Sequence, residues 1–319
     1  MQRIDFLRYS ALGGGALSAS WPLPRSSHFA DRPGLFRSAL TPLLLVAALL
    51  AGCSSEPEGT SLEQLRQQTH IHGLAFDRAD SERILLATHH GFHVVGGDGL
   101  ARQVSNETHD FMGFTPHPQD AETLFSSGHP ARGGNLGVLV SSDGGRNWEQ
   151  RASGVDGPVD FHQLTISEAD PDVLYGVHAG RLQVSRDGGQ GWRVQAPVPD
   201  GLIGLAASSR DPQHLYAATK GGLLMSPNGG ERWRQLHPER RPVSLVVADG
   251  EELYAFMLGV GLIRADEATR QWEVVNGDWG ERYLTHLAVA PDDPARLVAA
   301  DDQGRLLLST NGGQDWSPL

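Results

Sequence analysis

One eight-residue pattern recurs four times in this chain and constrains its folding more than any other feature. It reads Ser-x-(Asp/Asn)-Gly-Gly-x-x-Trp, at residues 141–148, 185–192, 226–233 and 309–316. Asp143, Asp187, Asn228 and Asn311 hold the third position, and Trp148, Trp192, Trp233 and Trp316 close the copies. A fifth, eroded copy ends at Trp272, with Glu267 in the acidic position. The residue types describe a hairpin turn. Asp or Asn accepts hydrogen bonds from turn amides, and Gly supplies the positive φ of a tight reversal. Trp lays a large apolar plate over the turn. These residues are structural, and none is assigned a catalytic role.

A second repeat sets the period. Short apolar strands begin at His72 (HGLAF), Met112 (MGFTP), His162 (HQLTI), Ile203 (IGLAA), Val243 (VSLVV) and Thr285 (THLAV), in steps of 40, 50, 41, 40 and 42 residues. Each runs through a polar turn into a second strand, such as Leu215–Thr219 or Leu297–Asp301. A third strand enters the Gly-Gly turn and a fourth leaves it. A four-stranded unit of about 40 residues is a propeller blade. The chain is therefore expected to be all-β, a single β-propeller of six four-stranded blades over residues 70–319. The loop at 130–135 absorbs the 50-residue step. The last blade has only Asp315–Leu319 for its outer strand, so Ser61–Thr69 is expected to supply a closing strand. A larger contribution from that segment would make seven blades.

The four-fold pattern resembles the Asp-box, or bacterial neuraminidase (BNR), repeat. Proteins with this repeat include sialidases, other glycoside hydrolases, sortilin-like receptors and photosystem assembly factors. More narrowly, five segments resemble a family of bacterial exported Asp-box proteins labelled sialidase-like or glycosylhydrolase-like. They are His70–Leu74, Thr88–Gly91, His109–Phe114, Ser126–Pro130 and Asp160–His162. A sialidase resemblance implies an arginine triad, a tyrosine nucleophile with a glutamate partner, and an aspartate acid/base. Only Tyr283, beside Glu281 and Arg282, fits the tyrosine. Arg83-Ile84 falls on the wrong side of the ring for the first arginine.

In a meander of four strands, the first and third turns lie on one face of the ring. The second turns and the blade connections lie on the other. The Gly-Gly turns occupy the first face, which leaves the second for function. His70, His72, His89, His90, His109, His129, His162 and His178 all map to that second face, in blades one to three, with Met112 among them. One histidine at a strand end is ordinarily a solvated group; eight on one side of three adjacent blades mark a ligand site. Histidine with methionine suits copper or zinc, and His72, His162 and His178 are the expected metal ligands. Histidine also hydrogen-bonds sugars and carboxylates. A glycosidase needs two carboxylates roughly 5–10 Å apart, for which Asp110, Asp160 and Asp301 are candidates on this face. The other reading of Asp110 and Asp160 is that they orient histidines. His93, His117, His214 and His237 are expected at the surface.

The N-terminal 69 residues are of another kind. Arg32 and Arg37 precede an apolar run from Leu40 to Leu50, followed by Ala51-Gly52-Cys53. That run is too short to span a bilayer, which takes about 20 residues. It reads instead as a signal-peptide core ending in small residues. Leu50-Ala51-Gly52-Cys53 resembles a bacterial lipobox, which implies cleavage before Cys53 and acylation of its thiol. Residues 1–52 are thus an N-terminal extension and lipoprotein signal, and 53–69 a lipid-anchored linker. The length ahead of Arg32 suggests translation from a downstream start near Leu35. Cys53 is the one cysteine, so no intramolecular disulfide forms. Of 26 basic and 38 acidic residues, five and two lie in the first 52, and the remainder carries −15. Such a surface repels phosphate backbones and excludes nucleic acid as a partner. The expected protein is a monomeric envelope propeller binding a glycan, a metal or a protein, and reaching the bilayer through acylated Cys53.

Overall fold

The computed structural model describes residues 59–319; the apolar run 40–50 and Cys53 lie outside the described residues. Six antiparallel sheets follow one another along the chain, each built on a four-stranded meander. Their innermost strands are Ile71–Phe76, Asp110–Pro116, Gln163–Ile166, Leu202–Ala207, Val243–Asp249 and Leu284–Val289. Each begins within two residues of the start read from the repeat. Inner strands from all six sheets line one central channel. The fold is a six-bladed β-propeller.

The core is six seams rather than one centre. Strand side chains alternate between faces, so each strand feeds two seams. In the second strand of blade one, Ile84 and Leu86 pack against blade six, whereas Leu85 and Ala87 pack against blade two. That strand is buried throughout, as are Leu215–Thr219 and Leu297–Asp301. This explains why second strands read as unbroken apolar runs rather than alternating ones.

The repeated hairpins have the expected geometry and one added role. Ser141 Oγ accepts from Gly145 N at 2.9 Å, Asp143 Oδ1 accepts from Asn147 N at 2.9 Å, and Trp148 Nε1 donates to the Gly145 carbonyl at 2.9 Å. Gly145 has φ 89°, and a Cβ there would lie 2.4 Å from the Phe92 ring. The tryptophan is more than a cover for its own turn. Trp148 packs at 5.4 Å from Phe92 of blade one and 4.9 Å from Phe111, filling the seam between the blades. Trp233 departs from the pattern, because its Nε1 has no hydrogen-bond partner. Glu267 of the eroded copy does not serve its own turn. It accepts from Tyr216 Oη at 2.9 Å and from Ser208 Oγ, both in blade four.

Ring closure differs from the sequence expectation. Ser61–Thr69 does not complete the last blade, and no seventh blade forms among the described residues. Thr60–Ser61 adds a fifth strand to the outside of blade one, and Leu62–Gln68 is an α-helix. Local chemistry explains the helix. The Ser61 hydroxyl accepts from Gln64 N at 3.3 Å, and Gln64 Oε1 accepts from Ser61 N at 3.4 Å. This reciprocal cap favours a helix start, and Leu-Glu-Gln-Leu-Arg-Gln-Gln has no β-branched residue to oppose it. Leu65 enters the seam between blades one and six. The last blade keeps its own outer strand, Ser317–Pro318. Side-chain packing closes the ring, with Arg296 and Glu82 paired across that seam at 2.5 Å.

Candidate functional site

Irregular pairing builds the mouth of the channel. Five of the six inner strands lose register near their first residues, between Ile71 and Gly73, Phe111 and Phe114, Leu202 and Gly204, Val243 and Leu245, and Leu284 and His286. A bulge leaves a residue unpaired and re-aims its side chain. The residues so released include His72, Met112, Ile203, Ser244 and Thr285. All of these but Met112 line a cavity of about 480 Å³, together with His162, Tyr283 and His286.

Asp110 lies at the centre of the histidines. It opens the inner strand of blade two and pairs across the sheet with His129. Its backbone is drawn in unusually close. Gly128 has φ 142°, and a Cβ there would fall 1.8 Å from the Asp110 carbonyl oxygen, so no side chain fits. Asp110 is 4% exposed, and three imidazoles surround its carboxylate. His89 Nδ1 is 2.5 Å from Oδ2, His129 Nε2 is 3.2 Å from Oδ2, and His72 Nε2 is 3.3 Å from Oδ1. The last pair is close but not aligned for a hydrogen bond. His72 Nε2 and Asp110 Oδ1 are therefore both buried without a partner.

Burial raises the Asp110 carboxyl above its ordinary range, against the pull of His89 and His129 and with an added push from Asp160. Burial first, then repulsion from His286, His89, His162 and His70, pushes His72 down to about 4. Its imidazole is neutral at physiological pH, the form that offers a lone pair.

A second pair sits on blade three. Asp160 Oδ2 and His162 Nε2 are 3.0 Å apart, and that hydrogen bond raises the His162 pKa against the effect of burial. Asp160 Oδ1 is buried without a partner. Two bonds fix blade three to blade two here: Phe161 N donates to Ser127 Oγ at 2.9 Å, and Gly113 N donates to the Phe161 carbonyl at 2.7 Å.

The structure gathers some of the sequence candidates and separates others. His72, His89, His129 and Asp110 meet, and His162 shares the cavity with His72. His178 faces elsewhere, with Nδ1 2.9 Å from the Asp160 main-chain oxygen. The expected trio His72, His162 and His178 is thus replaced by His72, His89 and Asp110, whose ligand atoms lie within 4.8 Å of one another. His90 stacks edge-on to His89 at 5.0 Å, His109 rests 6.1 Å from Phe111, and His70 is exposed. Met112 is half-buried. Asp301 is no free carboxylate: it accepts from the amides of Gln303 and Arg305, and its Oδ2 is 2.7 Å from Arg305 Nη2. Tyr283 lines the cavity, but Glu281 and Arg282 are exposed, and Arg282 lies over Trp279 at 5.7 Å. His93, expected at the surface, is 8% exposed within blade one.

Sequence reading missed His286. Burial pushes it down to about 4, against a hydrogen bond to the His72 backbone. Its signal was available in Thr285-His286-Leu287, which matches His72-Gly73-Leu74 in the repeat. Because the ring closes, blade six is blade one's neighbour.

No family model matches the chain, and no curated protein matches it. Solved structures share its fold. A GH74 enzyme from Niastella koreensis superposes with TM-score 0.57 at 16% identity, over 78% of this chain and 45% of that one. The GH74 xyloglucanase from Xanthomonas campestris gives 0.54 at 19%, over 79% and 45%. YCF48 from Cyanidioschyzon merolae gives 0.51 at 17%, over 79% and 85%. The chain spans about half the length of the two GH74 structures. At these identities the likeness is one of fold.

Proposed function

We propose that this is an exported, membrane-held propeller that binds a small ligand at the mouth of its channel, between blades one and three. The observation that carries the reading is Asp110. Burying a carboxylate without full hydrogen bonding is costly, yet Oδ1 is left unpartnered beside an unpartnered imidazole nitrogen. A ligand group reaching both atoms removes that cost. The bulges above support the same reading, because they turn side chains into the cavity at the expense of ladder pairing.

The fold likeness to GH74 enzymes makes glycoside hydrolysis the second reading, with Asp110 and Asp160 as the carboxylates and Tyr283 near them. The surroundings of the carboxylates favour binding. Asp110 is covered by three imidazoles and Asp160 is engaged with His162. Leu50-Ala51-Gly52-Cys53 supports export and acylation.

A thermal-shift panel tests the ligand. The probes are xyloglucan oligosaccharides, sialyllactose, dicarboxylates and divalent metal salts, applied to the wild type and to His72→Ala/His162→Ala. At least one probe is expected to raise the wild-type Tm and not the variant's. Equal response of both proteins to every probe rejects the reading. Release of reducing sugar that disappears in Asp110→Asn replaces it with the enzyme. For anchoring, Cys53→Ser is expected to move the protein from the membrane to the soluble fraction.

A further inference from the structure

We infer that His72, His89 and Asp110 form a binding site for a divalent late transition metal, zinc or copper, with His129 within reach as a fourth ligand. This rests on the mouth being a ligand site and names the ligand's class.

Geometry carries the inference. The ligand atoms of His72, His89 and Asp110 lie within 4.8 Å of one another. Four ligands at about 2 Å from a tetrahedral ion are separated by about 3.3 Å. His72 Nε2 and Asp110 Oδ1 stand 3.3 Å apart, and His129 Nε2 and Asp110 Oδ2 stand 3.2 Å apart. Each has the length of one edge of such a tetrahedron, drawn to a different carboxylate oxygen, while His89 Nδ1, 2.5 Å from Oδ2, stands closer than an edge and must move apart as an ion enters. His72 Nε2 and Asp110 Oδ1 meet at this distance without forming a hydrogen bond. A cation between them satisfies both atoms at once.

The donor set selects the ion. Imidazoles with one carboxylate suit Zn²⁺ and Cu²⁺; all-oxygen sites suit Mg²⁺ and Ca²⁺, and thiolate or thioether sites suit Cu⁺. An entry path exists, since the His89 side chain is 45% exposed on its turn while the Asp110 side chain beneath it is 5% exposed. Neutral imidazoles and one carboxylate leave a bound divalent ion with a net positive charge. The occupied site therefore attracts an anionic or water oxygen.

The test uses the purified protein, stripped with a chelator and titrated separately with Zn²⁺ and Cu²⁺ by calorimetry. Bound metal is counted by elemental analysis, and Cu²⁺ is examined by electron paramagnetic resonance. One equivalent is expected for the favoured ion, with nitrogen splitting in the copper spectrum. His89→Ala, altered on an exposed turn, is expected to weaken binding by roughly a hundredfold or more, at or beyond the loss typical of outer-shell changes. His214→Ala, on the opposite face, is expected to leave binding unchanged. If Asp110→Asn fails to fold, His89→Ala and His72→Ala carry the test alone. Sub-stoichiometric binding of both ions, or equal affinity in wild type and His89→Ala, overturns the metal site. If the thermal-shift panel still separates the mouth variant through a sugar or carboxylate, only the metal inference falls. If no probe separates them, the ligand mouth falls with it.

Discussion

At the scale of single residues, the turns and the mouth obey different economies. Asp143 and its counterparts satisfy turn amides, and any residue that fails there costs local stability. Gly145 is the sharpest case, since an added methyl meets both a positive φ and the Phe92 ring 2.4 Å away. Gly145→Ala is expected to destabilise by about 2 kcal/mol or more, read as a lower denaturation midpoint with an unchanged slope. Asp110 makes the opposite bargain and is held buried with an oxygen unpartnered. A third behaviour appears at the far end of the channel. Burial, then the neighbouring charge of Glu168, pushes Asp249 up to about 6, with Arg78 opposing. Its folded pKa is above the unfolded value near 3.9. The folded state thus holds the proton more tightly, and stability falls as pH rises from about 4 to about 6. Asp249→Asn is expected to gain about 1 kcal/mol at pH 7.5, allowing for partial exposure, and almost nothing at pH 4. Urea unfolding at the two pH values checks this, and an equal gain at both contradicts it.

At the scale of elements, the inner strands and the N-terminal helix show how local chemistry serves the ring. The bulges at His72, Ile203, Ser244 and Thr285 recur at matching positions, so the mouth is a repeat feature made specific by side chains. Blades one to three place Asp110 and the histidines around it there, and blade six adds His286. The helix Leu62–Gln68 takes the place of a closing strand, and its one buried residue, Leu65, enters the seam where the chain's ends meet. Leu65→Ala is expected to cost about 2–4 kcal/mol, as for other large-to-small core changes. Hydrogen exchange should then rise first in blades one and six. A uniform rise across all six blades would mean that this seam is no weaker than the others. The helix was legible in principle from Ser61-x-x-Gln64, a capping-box spacing. Seven residues are few against the pull of an edge strand, and the need for a closing strand obscured it.

At the scale of the whole molecule, the ring gives the two faces different chemistry. One end of the channel carries the histidine cavity; the other carries Arg78, Glu168 and Asp249. Sequence by itself read six blades while leaving a seventh open, which the structure excluded among the described residues. It determined the blade period, the strand order and the side of the ring on which the histidines fall. Those follow from short-range periodicities: two for strands, about 40 for blades, and a hairpin whose residues specify their own turn. It also supplied most of the residues now found around Asp110, because strand ends of neighbouring blades lie side by side in any propeller. Only tertiary structure decided which of them meet. His178 turned to a backbone oxygen, Asp301 to Arg305, and His286 came round from the last blade to stand beside His72. Rotamers, bulges and ring closure set distances of 3 Å between residues tens to hundreds of positions apart. A repeat pattern fixes where a side chain begins, and the packing of the surrounding blades fixes where it ends.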